Sequence, residues 1–293
     1  MPKIEVASHA GACFGVGRAL ERVEKILDGP AAVHTLGPLI HNPATVESLE
    51  RRGATVVDES SIEDLHPGDV LVLRTHGVVP QVVNRAKAAH LQVLDATCPY
   101  VKKVHHAAQR LAASGRQVVV VGEAGHPEVD GILGHAPGAC VVGSAEDAAA
   151  VPLERPIGLV VQTTQNRQLL EAVVEALKER GANVEVCDTI CEATSERQQA
   201  ARELAARANT MVVIGGRNSA NTTRLAEICA AHTATHHIED AQELDPAWFS
   251  GAELIGITAG ASTPSSQIKQ VVETVAQMTG AQEVETESQV SGT

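Results

Sequence analysis

Apolar and polar positions run through the same pattern three times along the chain. Three segments carry apolar residues at helical spacing directly after a cysteine: FGVGRALERVEKIL after Cys13, PYVKKVHHAAQRLAAS after Cys98 and EATSERQQAARELAARA after Cys191. Each leads to a short β-type run (AAVHTLG, RQVVVVGEAGHP, TMVVIGGRNSAN) that ends in polar or Gly-rich residues. A second helical stretch follows, then a weak strand, an acidic connection, a stronger strand (VLVLRTHG, IGLVVQTT, LIGITAGAS) and a third helix. LQVLDATC and VEVCDTIC then carry the chain into the next cysteine, and the cysteines lie 85 and 93 residues apart.

Strands alternating with helices predict an α/β protein with small, mostly parallel sheets and right-handed crossovers. The third repeat lacks a strand after residue 280, and PKIEVASHAGAC at the N-terminus has the character to supply it. The expectation is three pseudo-symmetric units closing into a trefoil: 14–97, 98–190 and 191–280, with 1–13 completing the third. Residues 281–293, AQEVETESQVSGT, read as a disordered acidic tail.

Composition narrows the function. Aromatic residues make up 1% of the chain, leaving the core to Val, Leu, Ile and Ala and arguing against a base-stacking surface. A formal charge of −13 argues against nucleic acid as a partner but leaves room for one small anion in a local pocket. No apolar stretch approaches a membrane span and no signal peptide is evident, so the default location is the cytoplasm. In such a compartment clustered thiols bind metal or react more often than they pair.

Ligands collect beyond the carboxyl ends of parallel strands, and the three repeat cysteines all stand there. Three thiolates on a pseudo-symmetry axis suit an iron–sulfur cluster with one iron left open, around which the trefoil would be built. Cys140, Cys187 and Cys229 lack repeat equivalents and are expected to be structural. Other strand ends carry His41, His76, His126, Glu128, Thr163, Thr164, Ser219, Asn221 and Ser262. This set is rich in directed donors and poor in full charge, which suits a diphosphate. Glu128, a lone acid among neutral groups, is the candidate proton donor.

The motifs GACFGVGRA, LIHN, THGV, DATCPYV, GHPEVDG, QTT, DTICEATSERQ, NSANTTRLAE and TAGAST occur in that order over residues 3 to 280. They resemble the LytB family, the 4-hydroxy-3-methylbut-2-enyl diphosphate reductases of the non-mevalonate isoprenoid pathway. The resemblance implies that Cys13, Cys98 and Cys191 ligate a 4Fe-4S cluster and that His41, His76, His126, Ser219, Asn221 and Ser262 bind the substrate diphosphate. It also implies that Glu128 relays protons, that Thr163 helps position the substrate hydroxyl, and that the products are isopentenyl and dimethylallyl diphosphate. One departure is Ala220, where the family commonly has a second serine; a missing hydroxyl donor puts about 1 kcal/mol of binding at risk.

Gly15 and Gly17 do not complete a nucleotide-binding fingerprint, so an external ferredoxin or flavodoxin is the expected electron donor. Three other readings stand beside this one: a non-redox iron–sulfur hydro-lyase acting on a hydroxy acid, a non-catalytic iron–sulfur sensor or electron carrier, and a zinc protein. The first would want arginines for a carboxylate, and only Arg74 and Arg217 lie near the polar clusters.

Overall fold

The structure is a computed structural model that describes residues 1–284. In chain order, β1 (Lys3–Val6), α1 (Phe14–Leu27), β2 (Val33–Leu36), α2 (Pro43–Arg51), β3 (Ala54–Val57), β4 (Val70–Leu73), α3 (Pro80–Ala88) and β5 (Gln92–Asp95) form the first run. The second is α4 (Pro99–Ala113), β6 (Gln117–Val121), α5 (Pro127–His135), β7 (Cys140–Val142), β8 (Ile157–Val161), α6 (Arg167–Glu179) and β9 (Val184–Val186). The third is α7 (Glu192–Ala205), β10 (Thr210–Ile214), α8 (Ala220–Ala230), β11 (Ala234–Ile238), β12 (Leu254–Ala259), α9 (Ser265–Thr279) and β13 (Gln282–Val284). The acidic connections before β4, β8 and β12 carry short 3₁₀ turns.

Three sheets result, ordered β3-β2-β4-β5, β7-β6-β8-β9 and β11-β10-β12-β1-β13, and every described strand pair is parallel. β1 thus occupies in the third sheet the place that β5 and β9 occupy in theirs. The expectation of no strand after residue 280 needs correcting, because Gln282–Val284 pairs with β1 as β13. That strand is ordered by main-chain bonds to a free sheet edge, which acidic composition does not reveal. The rest of the expected tail, 285–293, lies outside the described residues.

By compactness the chain divides into two units, 1–14 with 41–45 and 192–293, and 15–40 with 46–191. The former holds the sheet of β10, β12 and β1; the latter holds the other two sheets. β4, β6, β8 and β10 are buried throughout, as strands covered on both faces must be, and are dominated by Val, Leu and Ile. Each fully buried Val or Leu contributes about 1.5–3 kcal/mol. With so few aromatics, close approach of helix to sheet does the packing: a Cβ at Gly158 of β8 would stand 2.9 Å from the Leu111 side chain of α4.

Candidate active site

The polar residues are placed by one local construction that each sheet repeats. Immediately after β2, β6 and β10 stand Gly37, Gly122 and Gly215, whose N–H groups donate to the last carbonyls of β3, β7 and β11 at 2.8, 3.0 and 2.9 Å. Glycine is required at Gly215, where φ is +143° and a Cβ would stand 2.8 Å from Thr222 Oγ1. Five residues beyond the three strand ends come His41, His126 and Ser219. His126 and Ser219 cap the helices that follow: His126 Nδ1 accepts from the Glu128 N–H at 3.1 Å and Ser219 Oγ from the Thr222 N–H at 3.4 Å. With Nδ1 an acceptor, a neutral His126 carries its proton on Nε2 and presents it as a donor. Ser219 Oγ, an acceptor in its cap, likewise keeps its own O–H to give. After β2, Asn42 has the capping role through Oδ1 and the Thr45 N–H.

A second construction follows β4, β8 and β12. Two residues past each strand end, the carbonyls of Thr75, Thr163 and Ala261 accept the N–H groups of Cys98, Cys191 and Cys13, each at 3.0 Å. One residue further stand His76, Thr164 and Ser262. The three cysteines therefore share a main-chain bond as well as a place in the repeat, and each directly precedes a helix (α1, α4 or α7). None of the three is in a disulfide, and all are partly accessible.

In the unit holding β6 and β8, the His76 and His126 rings meet edge to face with centroids 5.8 Å apart. Glu128, in the first turn of α5, is 2% exposed and accepts two bonds from Thr163, the N–H at 2.6 Å and the hydroxyl at 2.8 Å. Burial dominates over these bonds and pushes its carboxyl up to about 7. Gln162 was not singled out from the sequence. It is wholly buried, accepts the Glu123 N–H and donates from Nε2 to Thr164 Oγ1 at 3.1 Å, thereby fixing Thr164. Its only sequence signal was its place in QTT.

In the other unit, Ser262 Oγ donates to the His41 carbonyl at 3.0 Å, so its proton faces main chain rather than open space. Asn221 is 5% exposed with neither amide oxygen nor nitrogen bonded within the described protein. A buried amide without partners costs about 1–3 kcal/mol, which a hydrogen-bonding ligand would recover.

The remaining cysteines have other surroundings. Cys187 Sγ accepts from Arg110 at 3.0 Å, Cys140 Sγ faces the Val118 carbonyl, and Cys229 is fully buried, its thiol pushed up to about 12. Among the described residues, no three His, Cys, Asp or Glu side chains form a ready-made site for one metal ion. A cubane asks something different, since each thiolate bonds its own iron. Three reduced cysteines in equivalent backbone settings, each at a helix N-terminus that favours negative charge, have the chemistry such a group asks for.

A family model described as "LytB protein" matches residues 4–276. The chain belongs to the LytB family. Two LytB relatives named 4-hydroxy-3-methylbut-2-enyl diphosphate reductase, from Geobacter metallireducens and Geobacter sulfurreducens, are 45% and 46% identical to it. The matches cover 95% and 93% of this chain and 99% and 96% of theirs. Among solved structures, the E-1-hydroxy-2-methyl-but-2-enyl-4-diphosphate reductase of Plasmodium falciparum superimposes with a TM-score of 0.91 at 26% identity, covering 98% of this chain and 93% of that one. A second, titled (E)-4-hydroxy-3-methyl-but-2-enyl diphosphate reductase, the terminal enzyme of the non-mevalonate pathway, gives 0.70 at 41% identity, covering 94% and 100%. The LytB α/β fold with three small parallel sheets is thus the fold of this chain. Among the described residues no helix is long and apolar enough to cross a membrane.

Proposed function

We propose that this chain is a 4-hydroxy-3-methylbut-2-enyl diphosphate reductase: two electrons and two protons are consumed, one proton leaving with the allylic hydroxyl as water and the other ending on the allyl carbon. The observation that carries the reading, given the family, is the buried Glu128–Thr163 pair: an acid protonated near neutral pH, joined to a hydroxyl that can pass the proton on. Cys13, Cys98 and Cys191 would hold a 4Fe-4S cluster. When bound, such a cluster supplies two electrons, one at a time, and Lewis acidity for breaking the allylic carbon–oxygen bond. A ferredoxin or flavodoxin is the proposed source of those electrons, and a reducing cytoplasm suits six cysteines of which none is in a disulfide.

The protein's own part is binding and proton delivery. Diphosphate oxygens accept hydrogen bonds, and the donors suited to them are His126 Nε2–H, the Ser219 hydroxyl, the Asn221 amide and the imidazoles of His41 and His76. Ser262 joins by turning its O–H away from the His41 carbonyl. Thr164 is held for the same task by Gln162. When Glu128 carries a proton on Oε2, its 2.8 Å contact with Thr163 reverses: the carboxyl donates to Oγ1, freeing the Thr163 proton for the departing substrate oxygen. The proton lost by Thr163 is replaced from Glu128, so the hydroxyl ends unchanged and the carboxyl ionised. Ala220, buried at the start of α8, offers no hydroxyl. Arg217, which a hydroxy-acid enzyme would want free, is paired with Glu243 and Glu239.

The test is an anaerobic assay of the purified chain with the allylic diphosphate and a chemical reductant. Isopentenyl and dimethylallyl diphosphate are expected, with no turnover when the reductant is left out. Dehydration without reductant, or no product from a chain with a full iron complement, overturns the reading.

A further inference from the structure

The loop between β1 and Cys13 is held in an unrelaxed shape. His9 has φ +62° and Gly11 φ +98°, and a left-handed non-glycine residue persists only where its surroundings enforce it. A Cβ at Gly11 would stand 2.8 Å from Ile268 Cδ1. Main-chain bonds pin the loop at Gly11 N–H to the Ala259 carbonyl (3.3 Å) and Cys13 N–H to the Ala261 carbonyl (3.0 Å). The His9–Glu196 pair, 3.7 Å apart with both side chains well exposed, adds little.

Arg197 is a buried polar group that reaches this loop from a neighbouring helix. It lies on α7, is 4% exposed, and its guanidinium forks: Nη2 donates to the Gly11 carbonyl at 2.8 Å, and Nη1 to the Ala193 carbonyl of its own helix at 3.0 Å. Burying a guanidinium is costly, and a lysine could not make the same two-pronged bridge. The bridge ties α7, the helix that follows Cys191, to the carbonyl two residues before Cys13. We propose that Arg197 is a positioning residue that locks the Cys13 loop in the conformation a cluster ligand needs. The inference rests on the reading of Cys13 as a ligand.

Two readouts test it, one of them without any cluster. In the iron-free chain, Arg197→Lys is expected to speed amide hydrogen exchange at Gly11 and Cys13 while leaving the amides of Cys98 and Cys191 at parent rates. In the anaerobically reconstituted chain, Arg197→Lys and Arg197→Gln are expected to lose iron to a chelator about 10–100-fold faster than the parent. Arg197→Lys keeps the charge and guards against a fold that Arg197→Gln cannot sustain. Parent-like exchange at Gly11 and Cys13 together with parent-like iron retention in Arg197→Lys overturns the inference. Cys13→Ser, run beside them, separates the two ideas: if it retains iron as the parent does, the ligand assignment itself has failed. If it loses iron while Arg197→Lys does not, only the positioning role has failed.

Discussion

Glu128→Gln is expected to lower turnover by about 10²–10⁴-fold, the usual contribution of a positioned proton donor, with KM for the diphosphate changed little. Glutamine keeps the shape and its oxygen can still accept the Thr163 N–H, but its amide protons are not acidic enough to transfer to Oγ1. The parent enzyme supplies a second signature. Its Glu128 carboxyl is raised by burial to about 7, so the proton-bearing form dominates below that pH, and kcat/KM should fall as pH rises through about 7. In the residual activity of Glu128→Gln that fall should be missing. Stability follows the same group: a carboxyl whose folded pKa is raised favours folding fully below its unfolded value and loses that contribution as pH rises through about 7. The melting temperature of the parent should therefore fall as pH rises from the ordinary carboxylate range through about 7, and that of Glu128→Gln should lack this fall. Unchanged turnover in Glu128→Gln would remove the carboxyl from the proton path.

Cys13→Ser, Cys98→Ser and Cys191→Ser should each fall to the blank in reductase activity and lose most of the bound iron and sulfide, whereas Cys187→Ser should retain both. The contrast rests on backbone setting rather than proximity in sequence. Cys187 sits four residues before Cys191, yet its sulfur is taken up by Arg110 and its N–H by the Leu159 carbonyl within the β8–β9 pairing. Cys191 shares with Cys13 and Cys98 the bond to a carbonyl two residues past a strand end. Iron and sulfide analysis after anaerobic reconstitution checks all four variants. A cluster lost in Cys187→Ser and kept in Cys191→Ser would reverse the assignment.

Much of the fold was legible because helical and strand periodicities repeat beside each cysteine. FGVGRALERVEKIL marks α1 to the residue, and the missing strand of the third repeat pointed to β1, which does pair with β12. β13 was not legible, since what orders it is the open edge of β1 rather than its own composition. For the polar residues, the sequence showed that they follow strands but not which atoms donate and which accept. Ser219 and His126 are both caps, but capping uses an acceptor and leaves each a donor, whereas Ser262 donates to the His41 carbonyl. Gln162 and Arg197 escaped notice because a buried side chain that bonds main chain has no periodic signature; both sat unremarked inside quoted motifs. Glu128 was singled out as a lone acid, and its burial supplies the pKa shift that argument requires.

In the proposed enzyme three cysteines bind a cubane and leave one of its irons for the substrate alcohol. Mössbauer spectroscopy of the anaerobically loaded chain, before and after adding the allylic diphosphate, addresses it most directly. The expected spectrum has one distinct iron whose signal shifts with substrate while the thiolate-bound irons keep theirs. A set of irons all indifferent to a saturating, slowly turned-over substrate would contradict it.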